Sequence, residues 1–262
     1  MRALVLSDIH GNMHALEAAL EAARSSSAGG FEQLWNLGDR VGYGARPNEV
    51  IDTLRAFAPR DTVHVRGNHD RVCCGLTSSQ GFNPVAAEAA AWTRMQLTPE
   101  NREWLRAAPM GPLLPAHQTN ARAMCAHGSP LHEDQYIVSM RDAWTPLQRM
   151  ATEITFFGHT HVQGGFSQRA QDWAEDRPLY PGDQATTVHS VLAVPAGSRH
   201  LINPGSIGQP RDGDWRAAFA IYDDVSECVT FFRTPYDVAA AQAAIREAHL
   251  PERLAARLSC GK

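Results

Sequence analysis

The sequence predicts an α/β domain built on a sheet whose first strands run parallel, and three observations predict it. Short apolar runs alternate with segments of helical periodicity over residues 3–66, the order that a right-handed parallel arrangement produces. Each of those runs stops at a polar group containing Asp, Asn or His, as expected where the carboxyl ends of strands face a crevice. Beyond residue 162 the pattern turns to a succession of strands.

Residues 3–6 read as a buried strand, followed at once by Ser7-Asp8-Ile9-His10-Gly11-Asn12. Met13, Leu16, Ala19, Leu20 and Ala23 recur at helical spacing, which predicts a helix over 13–24 with Asn12 as its N-cap. A turn-rich linker over 25–30 leads to a second strand, 31–37, ending in Gly38-Asp39. Pro47 suits the first turn of a helix through residue 57. A third strand over 61–66 ends in Gly67-Asn68-His69-Asp70, where Gly67 allows a tight or left-handed turn.

Residues 71–110 interrupt this rhythm with helices at 84–96 and 99–107, flanked by Pro109, Pro112 and Pro115. They read as a helical cap inserted into a single domain of residues 1–262. A strand over 121–126 then ends at His127-Gly128-Ser129-Pro130. Residues 140–150 read as a helix that Pro146 should bend or break. A strand over 154–157 runs into Gly158-His159-Thr160-His161. Further strands are expected at 162–168, 188–194, 200–202, 217–222 and 228–232, with 169–185 as a long polar loop and 238–249 as a helix.

With 262 residues the chain can bury a core without disulfides. Its net charge of -4 gives no basic footprint, so no stable nucleic-acid partner is expected. The five cysteines are odd in number and scattered, which argues against a disulfide framework and suits a reducing compartment. The apolar run at the N-terminus is too short for a signal peptide or a membrane span. These features lead to the expectation of a cytoplasmic protein with no membrane partner; they leave the oligomeric state open.

The residues gathered at strand ends are Asp8, His10, Asp39, Asn68, His69, His127, His159 and His161. Five of the twelve histidines fall there, and a structural histidine has no reason to prefer that position. A turn such as Gly67–Asp70 can be merely polar, because Asn, Asp and Gly all favour turns. Its weight comes from the repetition of the same pattern at four other strand ends.

The blocks Asp8-Ile9-His10, Gly38-Asp39, Gly67-Asn68-His69-Asp70, His127 and Gly158-His159-Thr160-His161 stand in the order of the calcineurin-like metallophosphoesterase superfamily, which the chain resembles. Residues 37–44, Pro47-Asn48-Glu49-Val50 and Asn203-Pro204-Gly205-Ser206 look like its small prokaryotic phosphodiesterase branch and extend the similarity to about residue 225. The resemblance implies a layered α-β-β-α sandwich of two packed mixed sheets with flanking helices. It also implies two divalent transition-metal ions (Mn, Fe, Zn or Ni), since nitrogen and oxygen ligands with open positions suit those ions better than Ca or a closed structural Zn site. Asp8, His10 and His161 would hold one ion, Asn68, His127 and His159 the other, and Asp39 would bridge them.

The activity so implied is phosphoester hydrolysis, with a hydroxide shared by the two ions attacking in line. His69, left off the metals, would be the general acid or stabilise charge on the leaving oxygen, with Asp70 fixing its tautomer and raising its pKa. Tyr43, Arg71 and Arg211 lie on motif-flanking or Gly/Pro-rich loops and are candidates for substrate binding, arginine being suited to phosphate by its planar donors. A phosphodiester is the first substrate class and a phosphomonoester, including a phosphoprotein, the alternative. A non-catalytic metal-binding scaffold is the rival from another class, and the completeness of the ligand blocks weighs against it. His14, His64, His117, His132, His189, His200 and His249 read as ordinary histidines, and Cys73 and Cys74 as small core residues.

Overall fold

Alternation within the first strand decides where the two main cores lie. In the computed structural model, which describes residues 1–26, 29–181 and 183–262, strand β1 (Arg2–Leu6) buries Ala3 and Val5 on one face and Leu4 and Leu6 on the other. Helix α1 (Met13–Ser25) follows, with the Asn12 side chain accepting a hydrogen bond from the Ala15 amide at 3.2 Å. Next come β2 (Gln33–Asn36), α2 (Pro47–Arg55) and β3 (Thr62–His64), the three strands being parallel.

Helices α3 (Asn68–Cys74), α4 (Pro84–Gln96) and α5 (Pro99–Ala107) precede β4 (Ala123–Cys125), α6 (Met140–Arg149) and β5 (Ile154–Phe156). The remainder is β6 (Gly164–Arg169), β7 (Asp172–Asp176), β8 (Val188–Ala193), β9 (Arg199–Asn203), β10 (Ala217–Asp223), β11 (Cys228–Thr234), α7 (Val238–Glu247) and α8 (Glu252–Ala256).

The strands form two mixed sheets in the orders β3-β2-β1-β10-β11-β8 and β4-β5-β9-β6-β7. Each carries three parallel strands, β1 to β3 in one and β4, β5 and β9 in the other, continued by antiparallel strands. Between the sheets Trp35 packs against Phe156 and Tyr222, with ring centroids 5.8 and 5.9 Å apart, among Val5, Cys125 and Ile202. On the outside, Leu4, Leu6 and Leu34 meet α1, α2, α7 and α8, while Phe166 and Leu201 meet α6. The result is the layered α-β-β-α sandwich that the resemblance implies.

Three local expectations are corrected. Residues 169–185 are not one long loop, because β7 pairs antiparallel with β6. Its Asp172, Glu175 and Asp176 mask the strand signal, since an edge strand exposes charge that discourages further pairing. Pro146 does not end α6, which continues to Arg149 behind a capping box of Ser139 and Asp142. The 25–30 linker starts one residue late, α1 reaching Ser25, and residues 27 and 28 lie outside the described residues.

Ala90 of α4 and Leu105 of α5, with Leu97 between the two helices, pack on Val72, Cys73 and Cys74 of α3 and on Ile51 of α2. The two cysteines are buried and free. Among the described residues no helix is long and apolar enough to cross a membrane.

Candidate metal centre

The parallel strands of both sheets open their carboxyl ends on one crevice, and loop-to-loop hydrogen bonds set the ligands there. The Asp8 amide donates to the Gly38 carbonyl at 3.1 Å, and the His10 amide to the Asp39 carbonyl at 3.0 Å. Asp8, His10, Asp39, His159 and His161 all adopt left-handed backbone, with φ between 52° and 67°. Such conformations are costly for residues other than glycine and concentrate at functional sites. Of the tight or left-handed turn that Gly67 would allow, the left-handed form is not adopted: Gly67 is extended, at φ -102°. It is needed for close approach instead, because a Cβ there would lie 2.0 Å from Asp39 Oδ1 and 2.3 Å from the Asp39 amide nitrogen.

Two buried groups result, Asp8 with His10 and His161, and Asp39 with His127 and His159, the ligand atoms of each lying within 4.8 Å of one another. His10 Nδ1 faces the Val41 carbonyl at 3.1 Å and His161 Nδ1 the Gln209 carbonyl at 2.6 Å. Those bonds place each ring's proton on Nδ1 and leave two Nε2 lone pairs facing each other at 3.2 Å. A cation between them would satisfy both. Asp8 Oδ1, 3.3 Å from His161 Nε2, is buried and accepts no hydrogen bond among the described residues, while Oδ2 accepts from Ser7 Oγ and the His159 amide.

In the second group His127 Nδ1 faces the Leu37 carbonyl at 2.9 Å, and Nε2 meets Asn68 Oδ1 at 3.0 Å. Asp39 Oδ2 lies 3.8 Å from His10 Nε2 and 3.5 Å from His127 Nε2, between the groups. The donor set of carboxylate, amide and imidazole, with its second partners in place, fits two divalent ions.

The electrostatics agree with that fit. Burial pushes the His10 and His161 rings well below the ordinary range, with His69 acting on the first and Arg211 on both. Burial and the neighbouring His127 bring His159 down to about 3. These rings are neutral at pH 7 and offer lone pairs. Burial opposes charge on His127, yet Asp39 and Asp8 lift it to about 9. Burial, helped by Asp39, pushes the Asp8 carboxyl up to about 7 against the pull of His127. Excess negative field at a buried point is what a bound cation relieves.

His69 lies against this centre, its ring 4.9 Å from that of His10, 4.4 Å from that of Tyr43 and 4.6 Å from that of Phe82. Asp70 does not orient it. The Asp70 carboxylate accepts from the Gly67, Asp39 and Arg40 amides and from Arg40 Nη1, whereas His69 Nδ1 is buried without a hydrogen bond among the described residues. Burial, with Arg211 and His127 adding to it, brings His69 down to about 4, opposite to the expected rise.

Arg71 reaches the crevice, but its Nη1 and Nη2 donate to Glu133 at 2.8 Å and to Asp134 at 2.5 Å. Tyr43 packs on His10 at 4.6 Å, and the Arg211 guanidinium lies 5.9 Å from the Tyr43 ring centre. His132, near His127 in sequence, accepts from the Asp134 amide and belongs to neither group.

Two residues were not anticipated. Arg40 is fully buried, over the Trp104 ring at 4.9 Å, and Tyr136 stacks on His159 at 3.9 Å. The position of Arg40 beside Asp39 was the available signal for the first; Tyr136, on an irregular loop, offered none.

Comparison with known proteins gives the same picture. A family model for the calcineurin-like phosphoesterase superfamily domain matches residues 1–226. An uncharacterized protein of Methanocaldococcus jannaschii is 30% identical over 258 residues, covering 98% of this chain and 97% of that one. The crystal structure of a metallophosphoesterase from Sphaerobacter thermophilus is similar at 39% identity with a TM-score of 0.78, covering 100% of this chain and 99% of that one. A hypothetical protein from Pyrococcus horikoshii shares the fold at 20% identity with a TM-score of 0.77, over 100% and 98% of the two chains.

Proposed function

The chain belongs to the calcineurin-like phosphoesterase superfamily, and on that premise we propose that it is a metal-dependent phosphoester hydrolase acting on phosphodiesters. The observation that carries this reading is the pair of buried ligand groups with Asp39 Oδ2 between them. Asp8, His10 and His161 would hold one divalent ion and Asn68, His127 and His159 the other, with Mn, Fe, Zn and Ni as the candidates. When bound, such a pair acidifies water and offsets the charge of the phosphoryl group.

The chain's own residues orient the substrate and its leaving group. A neutral His69 ring suits an N–H donor to charge developing on the leaving oxygen better than it suits a stored proton. Two cavities flank the centre on either side of Tyr136: one of about 490 Å³ also lined by Tyr43 and Arg211, and one of about 470 Å³ also lined by Asn68, Arg71 and His159. Room on both sides favours an ester with two arms, and so a diester over a monoester. Thr77, Ser78, Gln80 and Phe82, between α3 and α4, line the second cavity, which supports reading the helical insertion as a cap.

The test is hydrolysis of a matched aryl phosphate monoester and diester by metal-stripped protein to which Mn, Fe, Zn, Ni or Mg is restored in turn. Turnover that returns with metal and is faster on the diester is expected. Faster turnover of the monoester would select a phosphatase, and failure of the reconstituted protein to bind metal would refute the reading.

A further inference from the structure

The cavity of about 490 Å³ beside the metal centre is lined by three arginines, Arg211, Arg253 and Arg257, together with Tyr43 and Tyr136. Among the described residues none of the three forms an ion pair with a carboxylate side chain. Arg211 Nη2 donates to the side-chain oxygen of Gln209 at 3.0 Å, and its Nε is buried without a partner. Arg257 Nε donates to the main-chain oxygen of Lys262, and Arg253 is exposed. The nearest acidic neighbour in sequence, Glu252, is turned to Arg246, whose Nη2 meets it at 2.7 Å.

Three guanidinium groups converging on one cavity, none of them paired with a carboxylate side chain among the described residues, repel one another, in a molecule whose net charge is -4. Burial, with Arg211 and Arg253 beside it, brings even the Arg257 guanidinium down to about 10. Such an arrangement is stabilised when an anion enters, and planar guanidinium forks match phosphate oxygens two at a time. The cavity is joined to the reaction site: Tyr43 contacts the His10 and His69 rings, and Tyr136 stacks on His159. Arg253 and Arg257 lie beyond the residues matched by the superfamily model, which end at 226.

We infer that the Arg211, Arg253 and Arg257 cluster is a second anion subsite, and that the substrate is a phosphodiester with a further phosphate group on one arm. The inference rests on the reading of the adjoining centre as a phosphoesterase site. A single carboxylate would match one guanidinium and leave two uncompensated, whereas a phosphate dianion presents several oxygens to all three.

The test uses the full chain loaded with Mn and a set of aryl phosphodiesters that differ only in the second arm: propyl, carboxypropyl or phosphopropyl. The expected result is a kcat/KM for the phosphopropyl ester roughly 10- to 100-fold above the propyl ester, the range of one or two charge-assisted hydrogen bonds. That preference should shrink toward unity in Arg253→Gln and in Arg257→Gln, recover in part in Arg257→Lys, and persist in Arg60→Gln, whose side chain is 82% exposed. Equal kcat/KM for the propyl and phosphopropyl esters, or an equal gain from carboxypropyl, would overturn the inference. If none of the esters turns over, the hydrolase reading fails separately, and calorimetry with the corresponding non-hydrolysable aryl phosphonates decides the subsite. Tighter binding of the phosphate-armed phosphonate, lost in Arg257→Gln, would uphold it; equal binding of all arms would overturn it.

Discussion

Asp70 and Arg40 form an ion pair with both side chains fully buried, Oδ2 to Nη1 at 3.2 Å, beneath the loop that carries Asp39. The same carboxylate accepts the amides of Gly67, Asp39 and Arg40 at 3.1, 3.0 and 2.9 Å. Asp70 thus ties the loop after β2 to the start of α3 and braces the Asp39 backbone.

Asp70→Asn should therefore destabilise the protein by about 3–5 kcal/mol, the cost of leaving a buried charge without its partner. Denaturant unfolding of the metal-free protein measures this. A variant of native stability with slowed turnover alone would instead restore Asp70 to a role beside His69.

His69→Ala should keep the metal content of the wild type and lose roughly 10²- to 10³-fold in kcat, the usual effect of removing one donor to developing charge. His159→Ala should lose metal. Elemental analysis alongside steady-state kinetics separates the two, and equal metal loss from both would contradict the division of roles.

Gly67→Ala places a Cβ 2.3 Å from the Asp39 amide nitrogen, a backbone atom that cannot swing aside. A cost of about 1–3 kcal/mol is expected from overpacking. Because the displaced residue lies between the two ligand groups, binding of both ions should weaken together, which metal titration followed by calorimetry can resolve.

Acid should destabilise the fold through histidines outside the centre as well as within it. Burial holds His64 at about 3 and His200 at about 4, below the ordinary 6.5. Between those values and 6.5 the unfolded chain binds more protons than the folded one, so stability falls as pH drops through that window and is fully retained above it. Each such histidine contributes a slope of up to about 1.4 kcal/mol per pH unit. In metal-free protein, His64→Gln should flatten the dependence of unfolding free energy on pH between about 6 and 4.

The candidate ligands stood out because chemistry restricts residue type at strand ends, and the strands were legible through their apolar alternation. What was hidden depends on contacts between distant parts of the chain. Nothing local to Asp70 distinguishes a partner for His69 from a partner for Arg40, 30 residues away. The direction of the His69 shift was missed for the same reason, since it follows from burial among Tyr43, His10 and Phe82. Strand β7 escaped because its exposed charges interrupt the period-two signal that identified β1.

Each ligand group draws on both sheets: Asp8 and His10 follow β1 while His161 follows β5, and Asp39 follows β2 while His127 and His159 follow β4 and β5. Neither half of the molecule supplies a whole candidate group by itself. An ion bound there would therefore also act as a rivet through the seam between the sheets, holding only the assembled sandwich. Chelation should loosen that seam before it loosens either sheet.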